Sequence, residues 1–178
     1  MSLSPAIQPD DHAAYMRLAL DLARKSPPKP TNFRVGAVVV DQSCNEILAT
    51  GYTLELPGNT HAEQCCLLKL AEQHKVPEEH LKDVLPSQLA LYTTVEPCSK
   101  RLSGNLPCAE RVLRLAGPIR TVYVGIVEPD TFVSKNTGRL LLQDAGIQVI
   151  QIPGLESEIM EVATAGHRQV ESQPSTEA

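Results

Sequence analysis

The sequence predicts an α/β fold built on one five-stranded mixed sheet, with the last three strands parallel and covered by helices. Three observations predict it. Short runs rich in Val, Ile, Leu and Tyr recur along the chain, segments with helical spacing stand between the later ones, and clusters of Pro, Gly, Asn and Asp mark the joins. A strand, helix, strand order in the second half requires crossover connections, which make those strands parallel, whereas a short polar turn joins the first two strands as a hairpin.

The elements follow in order. From Asp10 to Lys25, residues such as Ala13, Met16, Leu20 and Ala23 recur with helical spacing, and Pro27, Pro28 and Pro30 prevent continuation. Val35 to Val40 and Glu46 to Tyr52 read as a hairpin around the polar turn Asp41 to Asn45. After the loop Thr53 to Thr60 comes a helix whose apolar positions include Ala62, Cys65, Cys66 and Leu70, with Thr60 expected as its cap and Glu63 as the capping-box partner. Leu89 to Thr94 is the next strand. Pro97, Gly104 and Pro107 then force an irregular connection to a helix from Cys108 to Leu115, which Gly117 and Pro118 stop. Thr121 to Val127 reads as a strand, Gly138 to Ala145 as a short helix, Ile147 to Ile152 as the last strand, and Leu155 to Ala165 as one more helix. Residues 1–166 are expected to form a single domain, and the polar stretch from His167 to Ala178 a disordered tail.

Composition narrows the function classes. A chain of 178 residues, 42% hydrophobic, has room for one core. Its formal net charge of -5 disfavours wrapping a phosphate backbone, and two Phe, four Tyr and no Trp supply little base-stacking surface, so nucleic acid is not expected as a partner and a small molecule is. No stretch approaches the roughly 20 apolar residues of a membrane span, and Met1 to Asp11 has neither a basic flank nor an apolar signal core. The expectation is a soluble, cytoplasmic or nucleocytoplasmic protein without a membrane partner. Five cysteines, an odd number, argue for reduced thiols, some of them available to a metal.

His61, Glu63, Cys98 and Cys108 each stand where a strand or loop gives way to a helix. A helix N-terminus carries partial positive charge and favours thiolate, the form of cysteine that binds zinc. One imidazole and two thiolates leave a fourth position for water, the arrangement of a catalytic zinc, here one Zn2+ per chain. Glu63, in the first turn of its helix, is placed to reach over that water and carry its proton. Cys65, four residues after His61 on the same helical face, is the alternative ligand. Cys44, Cys65 and Cys66 otherwise read as inert thiols, and His12, His74, His80 and His167 as surface residues without a role.

His61, Ala62 and Glu63, followed by Glu96, Pro97, Cys98 and Cys108, resemble the signature of the zinc-dependent cytidine and deoxycytidylate deaminase superfamily. That superfamily's common spacing puts two residues between the cysteines. Here nine intervene, Ser99 to Pro107, and a long insertion at this point is similar to the deaminase domain of riboflavin biosynthesis. Asn32 shortly before Val35 and Gly36, the run Cys108, Ala109, Glu110 and Val112, the segment Glu128 to Val133 with Gly138, and Ala145, Gly146 and Ile147 agree in outline. Lys100 to Asn105 replace the bacterial insertion pattern, and Asp130 stands where Asn is usual. Bacterial relatives continue into a reductase domain; the short stretch after the last strand here resembles the fungal form.

The resemblance implies a three-layer α/β/α cytidine-deaminase-like sandwich that works as a homodimer. It implies hydrolytic loss of the 2-amino group of 2,5-diamino-6-ribitylamino-4(3H)-pyrimidinone 5′-phosphate as ammonia, with Glu63 as the proton carrier. Asn32, by its match to the family motif, is the expected reader of the ring edge. The substrate phosphate needs local cations and donors. Lys100, Arg101 and Ser103 lie in the inter-cysteine insertion, and Lys135, Asn136 and Thr137 precede Gly138, Arg139 and a helix start. Rival readings are a cytidine, deoxycytidylate or tRNA adenosine deaminase, and, in another class, a non-catalytic zinc-binding partner subunit. The nine-residue gap and acidic charge speak against tRNA, and Glu63 against the subunit.

Overall fold

The computed structural model describes residues 6–128 and 137–169. Helix α1 (His12–Ala23) starts where Asp10 takes a left-handed φ of 61° and Asp11 accepts the Ala14 N–H at 3.0 Å, so it begins two residues after the periodicity does. Strands β1 (Gly36–Asp41) and β2 (Glu46–Tyr52) form the expected hairpin, and helix α2 (Ala62–His74) follows. Strand β3 (Leu89–Val95), helix α3 (Cys108–Leu113), strand β4 (Ile119–Ile126), helix α4 (Gly138–Asp144), strand β5 (Gln148–Gln151) and helix α5 (Glu156–Ala163) complete the order. Two 3-10 segments, Glu78–Asp83 and Ala165–Gln169, were not expected from the sequence. The second includes the start of the stretch expected to be a disordered tail, whereas residues 170–178 lie outside the described residues.

The sheet order is β2-β1-β3-β4-β5, antiparallel across β2, β1 and β3 and parallel across β3, β4 and β5. Alternation divides the side chains between two faces. Val38, Val40, Tyr92 and Tyr123 pack beneath Met16 and Leu20 of α1 and Ile159 of α5. Ala37, Val39, Leu91 and Val122 pack beneath Leu67 and Leu70 of α2, Val112 of α3 and Leu142 of α4. The result is the three-layer sandwich, with β1, β3 and most of β4 buried on both faces, which is why they read as continuous apolar runs.

Register decides where the site lies. β1 runs against both β2 and β3, so Gly36 pairs with Tyr52 and Ala37 with Thr93. The start of β1 and the C-terminal ends of β2 and β3 therefore share one sheet edge, and Val95 pairs with Ile126 to bring the end of β4 there too. Both α2 and α3 begin at that edge. Ligand sites of open α/β sheets form at such C-terminal strand ends. Two glycines permit the layers to close: a Cβ on Gly36 would lie 1.8 Å from the Ala19 carbonyl oxygen of α1, and one on Gly51 would lie 2.3 Å from that of Ala62 in α2.

Two histidines expected to be idle surface residues are engaged. His12 stacks on Tyr123 with centroids 4.3 Å apart, and its Nδ1 is in hydrogen-bond contact with the Tyr92 hydroxyl at 2.8 Å. His167 Nε2 donates to the Asn32 carbonyl at 3.0 Å while its ring meets Phe33 edge-on. Among the described residues, no helix is long and apolar enough to cross a membrane.

Candidate active site

His61 is the residue that caps α2, with extended φ −91° and ψ 161°. Thr60, expected in that position, is used otherwise: its carbonyl accepts the Leu54 N–H at 2.8 Å and its hydroxyl donates to the Leu56 carbonyl at 2.9 Å, closing the preceding loop. The His61 N–H donates to Gln64 Oε1 at 3.3 Å, so Gln64 takes the capping-box role expected of Glu63. This leaves the Glu63 carboxyl available to the sheet edge.

The His61 ring presents Nδ1 to two sulfurs, Cys98 Sγ at 3.7 Å and Cys108 Sγ at 3.4 Å. Cys98 arrives from the end of β3, after Glu96 and Pro97, and Cys108 opens α3. The Cys108 N–H donates to Cys98 Sγ at 3.4 Å and the Ala109 N–H to the Cys98 carbonyl at 3.0 Å, so the first turn of α3 fixes one cysteine while supplying the other. All three ligand atoms lie within 4.8 Å of one another, and among the described residues they are the one group of three His, Cys, Asp or Glu side chains so arranged. A tetrahedral zinc with Zn–N of about 2.0–2.1 Å and Zn–S of about 2.3 Å would hold nitrogen and sulfur about 3.5 Å apart. The observed separations fit that requirement. Cys65, the alternative ligand, is buried facing Gly51 of β2 and is not in the group.

The donor set is electrostatically prepared. Hydrogen bonds from the Cys108 thiol and then from His61 and the Cys108 backbone pull Cys98 down to about 4, against burial. Donating that bond, together with burial, raises the Cys108 thiol well above the usual range. Zinc binds cysteine as thiolate, so metal binding at this pair releases protons.

Glu63, the second residue of α2, is buried, and the Thr93 hydroxyl lies 3.1 Å from its Oε1 as a donor. Burial raises its carboxyl above the ordinary value, the Cys98 charge adds to this, and His61 opposes it. A cavity of about 210 Å³ opens over Glu63, His61 and Cys98, with Asn32 on one side and Lys100 to Ser103 on another. Two further carboxylates line it that sequence reasoning did not single out as site residues, Glu96 and Glu128. Burial raises Glu96, which Arg139 opposes, and burial followed by the charges of Cys98, Glu96 and Glu63 pushes Glu128 up to about 7. The signal that could have found them is their position just past the ends of two adjacent parallel strands.

The residues expected to bind substrate divide. Asn32 lines the cavity, its Nδ2 donating to Asn59 Oδ1 at 3.1 Å and its Oδ1 accepting from the Thr31 hydroxyl at 2.8 Å. Lys100 and Ser103 line it and are exposed. Arg101 also reaches the cavity wall, and its guanidinium is tied to the protein at two points, Nη1 donating to Gln64 Oε1 at 2.9 Å and Nη2 to the Asn59 carbonyl, while Nε is buried without a partner. Thr137 is not among the lining residues; its N–H donates to Ser99 Oγ at 3.2 Å. Lys135 and Asn136 lie outside the described residues.

Comparison with known proteins agrees with this geometry. The sequence model of the cytidine and deoxycytidylate deaminase zinc-binding region matches residues 9–126. The chain is 39% identical over 161 residues to a diaminohydroxyphosphoribosylamino-pyrimidine deaminase of Schizosaccharomyces pombe, covering 90% of this chain and 37% of that protein's length. It thus spans little more than a third of that curated relative. The crystal structure of an Aspergillus oryzae Rib2 deaminase C-terminal deletion mutant at pH 4.6 superposes with a TM-score of 0.82 at 50% identity, covering 90% of this chain and 94% of that one. The same Aspergillus oryzae protein in complex with DARIPP superposes with a TM-score of 0.80 at 49% identity, covering 90% and 93%.

Proposed function

This chain belongs to the cytidine and deoxycytidylate deaminase zinc-binding family, and on that premise we propose that it is a hydrolytic deaminase of riboflavin biosynthesis. The substrate is 2,5-diamino-6-ribitylamino-4(3H)-pyrimidinone 5′-phosphate, and the products are 5-amino-6-ribitylamino-2,4(1H,3H)-pyrimidinedione 5′-phosphate and ammonia. One observation carries the reading: an imidazole nitrogen and two cysteine sulfurs converge within 4.8 Å at the floor of a cavity that the Glu63 carboxyl also lines. The name of the Schizosaccharomyces pombe protein, a phosphoribosylamino-pyrimidine deaminase, supports a phosphorylated diaminopyrimidine as the substrate class, and the DARIPP complex of the Aspergillus oryzae protein supports the choice within it.

His61, Cys98 and Cys108 are the residues that would hold zinc. Bound there, zinc lowers the pKa of a coordinated water to about 7 and so supplies a nucleophile at neutral pH. Glu63 would take a proton from the attacking water and deliver it to the ring nitrogen beside the carbon that bears the amine. In a second transfer it takes the remaining proton of the hydroxyl now bonded to that carbon and passes it to the amine, the C–N bond breaks as the carbonyl forms, and one water is consumed for one ammonia released. A carboxyl raised by burial suits a carrier that must both accept and release a proton. Thr93 holds it in place. Asn32 reads the ring edge, and Lys100, which has no hydrogen-bond or ion-pair partner among the described residues, takes the phosphate with Ser103. The homodimer belongs to the same proposal and is read by sedimentation.

Ammonia release from the diamino-ribitylamino-pyrimidinone phosphate, its ribosyl counterpart, cytidine, deoxycytidylate and tRNA tests the assignment. Turnover of the phosphorylated pyrimidinone is expected. Turnover of a cytosine compound alone would overturn the substrate, and zinc bound without any turnover would favour a non-catalytic subunit.

A further inference from the structure

We propose that Arg101 is a positioning residue, whose guanidinium ties the loop between the two cysteines to the loop before α2 and to the first turn of α2, and not a ligand of the substrate phosphate. The inference deepens the function proposed above and rests on it.

Arg101 belongs to an exposed loop. Lys100, Ser103, Gly104 and Asn105 are exposed and Leu102 is 99% exposed, yet Arg101 in their midst is only 8% exposed. Its buried head bonds partners 37 and 42 residues away in the chain, the Gln64 side chain and the Asn59 carbonyl. Each partner leads further into the site. Gln64 Oε1 accepts the His61 N–H as well as Arg101 Nη1, so the guanidinium shares an acceptor with the backbone of a metal-binding residue. Asn59 Oδ1 accepts from Asn32 Nδ2, so the same guanidinium is linked through Asn59 to the residue that reads the ring edge. A continuous hydrogen-bonded chain thus runs from His61 through Gln64, Arg101 and Asn59 to Asn32.

A planar fork with two separate N–H edges is what such a bridge needs, and a lysine, which offers a point charge, does not reproduce it. The bonds to Gln64 and Asn59 fix the guanidinium in the cavity wall with its Nε buried and without a partner, so little of the head is open to a phosphate. The geometry therefore divides the labour of two adjacent cations: Lys100, exposed on the cavity wall, meets the ligand, and Arg101 beneath it sets the wall's position.

The test compares Arg101→Ala, Arg101→Lys, Gln64→Ala and the double variant Gln64→Ala with Arg101→Ala, using the phosphorylated pyrimidinone and its dephosphorylated form, with hydrogen exchange of the zinc-loaded, substrate-free proteins in parallel. Arg101→Ala is expected to lower kcat/KM for both substrates by a similar factor, about tenfold or more, because displacing the reacting geometry acts on either. Amide exchange over residues 59–64 and 99–107 is expected to accelerate. Arg101→Lys should not restore either property, and Gln64→Ala should reproduce part of the loss, with the double variant less than additive. A rise in KM confined to the phosphorylated substrate, with kcat and exchange unchanged, would overturn the inference and return Arg101 to the phosphate. Should the wild-type protein deaminate neither pyrimidinone, the proposed function fails by itself, and the exchange comparison still decides whether the clamp exists.

Discussion

Replacement of Gly51 by alanine tests whether the packing of α2 on β2 sets the metal site. The added Cβ would lie 2.3 Å from the Ala62 carbonyl oxygen, 3.1 Å from Cys65 Cβ and 3.1 Å from the Cys66 amide nitrogen. None of these atoms is the end of a flexible side chain, so no rotamer change relieves the clash. Restoring contact distances of about 3.5 Å requires the first turn of α2 to retreat by roughly 1 Å. That turn begins at His61 and carries Glu63, while Cys98 and Cys108 are held separately by β3 and α3. Metal–ligand distances tolerate only about 0.2 Å, and overpacking of this kind costs about 1–3 kcal/mol. A reacting group displaced by 1 Å loses on the order of 100-fold in rate.

Zinc competition with a chromophoric chelator, kcat and thermal melting of the loaded and stripped proteins measure the three consequences. Gly36→Ala is the control. Its Cβ would approach Ala19 O even more closely, at 1.8 Å, but the element that must retreat is α1, which carries no metal-binding residue. Gly51→Ala should lose zinc affinity and rate along with stability, whereas Gly36→Ala should lose stability and retain zinc affinity in the folded fraction. Unchanged zinc affinity in Gly51→Ala, or a greater loss in Gly36→Ala, would refute the reasoning.

Glu63→Gln keeps the shape of the side chain and should retain zinc while kcat falls by about 100-fold to 10,000-fold, the range for a lost general acid-base group; full activity would remove the proton-carrier role. Cys108→Ser replaces a thiolate by a hydroxyl that stays neutral, and zinc affinity should fall by more than about 100-fold, beyond what removing an outer-shell partner costs; stoichiometric zinc in the purified variant would contradict this. Glu128 has its carboxyl pushed from 4.5 up to about 7, so the fold binds that proton more tightly than the unfolded chain does. Its favourable contribution is complete below 4.5 and is lost as pH rises through about 7. In metal-free protein, melting temperatures should therefore shift in favour of Glu128→Gln as pH rises across that window, and a difference independent of pH would contradict it.

The strands were legible because they are buried on both faces: Ala37 to Val40 and Leu89 to Tyr92 are continuous apolar runs for that reason. The 3-10 segment Glu78–Asp83 was not, since Leu81 is its one buried residue and a single apolar side chain has no period. The cap of α2 was displaced by one residue because the Leu54 to Thr60 backbone bond, a closure invisible in residue types, spends Thr60 on the loop. His61, Cys98 and Cys108 could be read directly, since few residue types bind zinc, although only His61 and Cys108 stand at a helix start and Cys98 follows the end of β3. Arg101 could not, because its partners lie 37 and 42 residues away and only the folded edge brings them together. The same holds for His12 against Tyr92, which is 80 residues distant.

Zinc K-edge absorption spectroscopy of the purified protein, with metal analysis of the same sample, tests the central claim most directly. The account predicts one zinc per chain with two sulfur neighbours at about 2.3 Å and two nitrogen or oxygen neighbours at about 2.0–2.1 Å, one from His61 and one from solvent. Four sulfur neighbours, no sulfur neighbours, or no stoichiometric metal would contradict it.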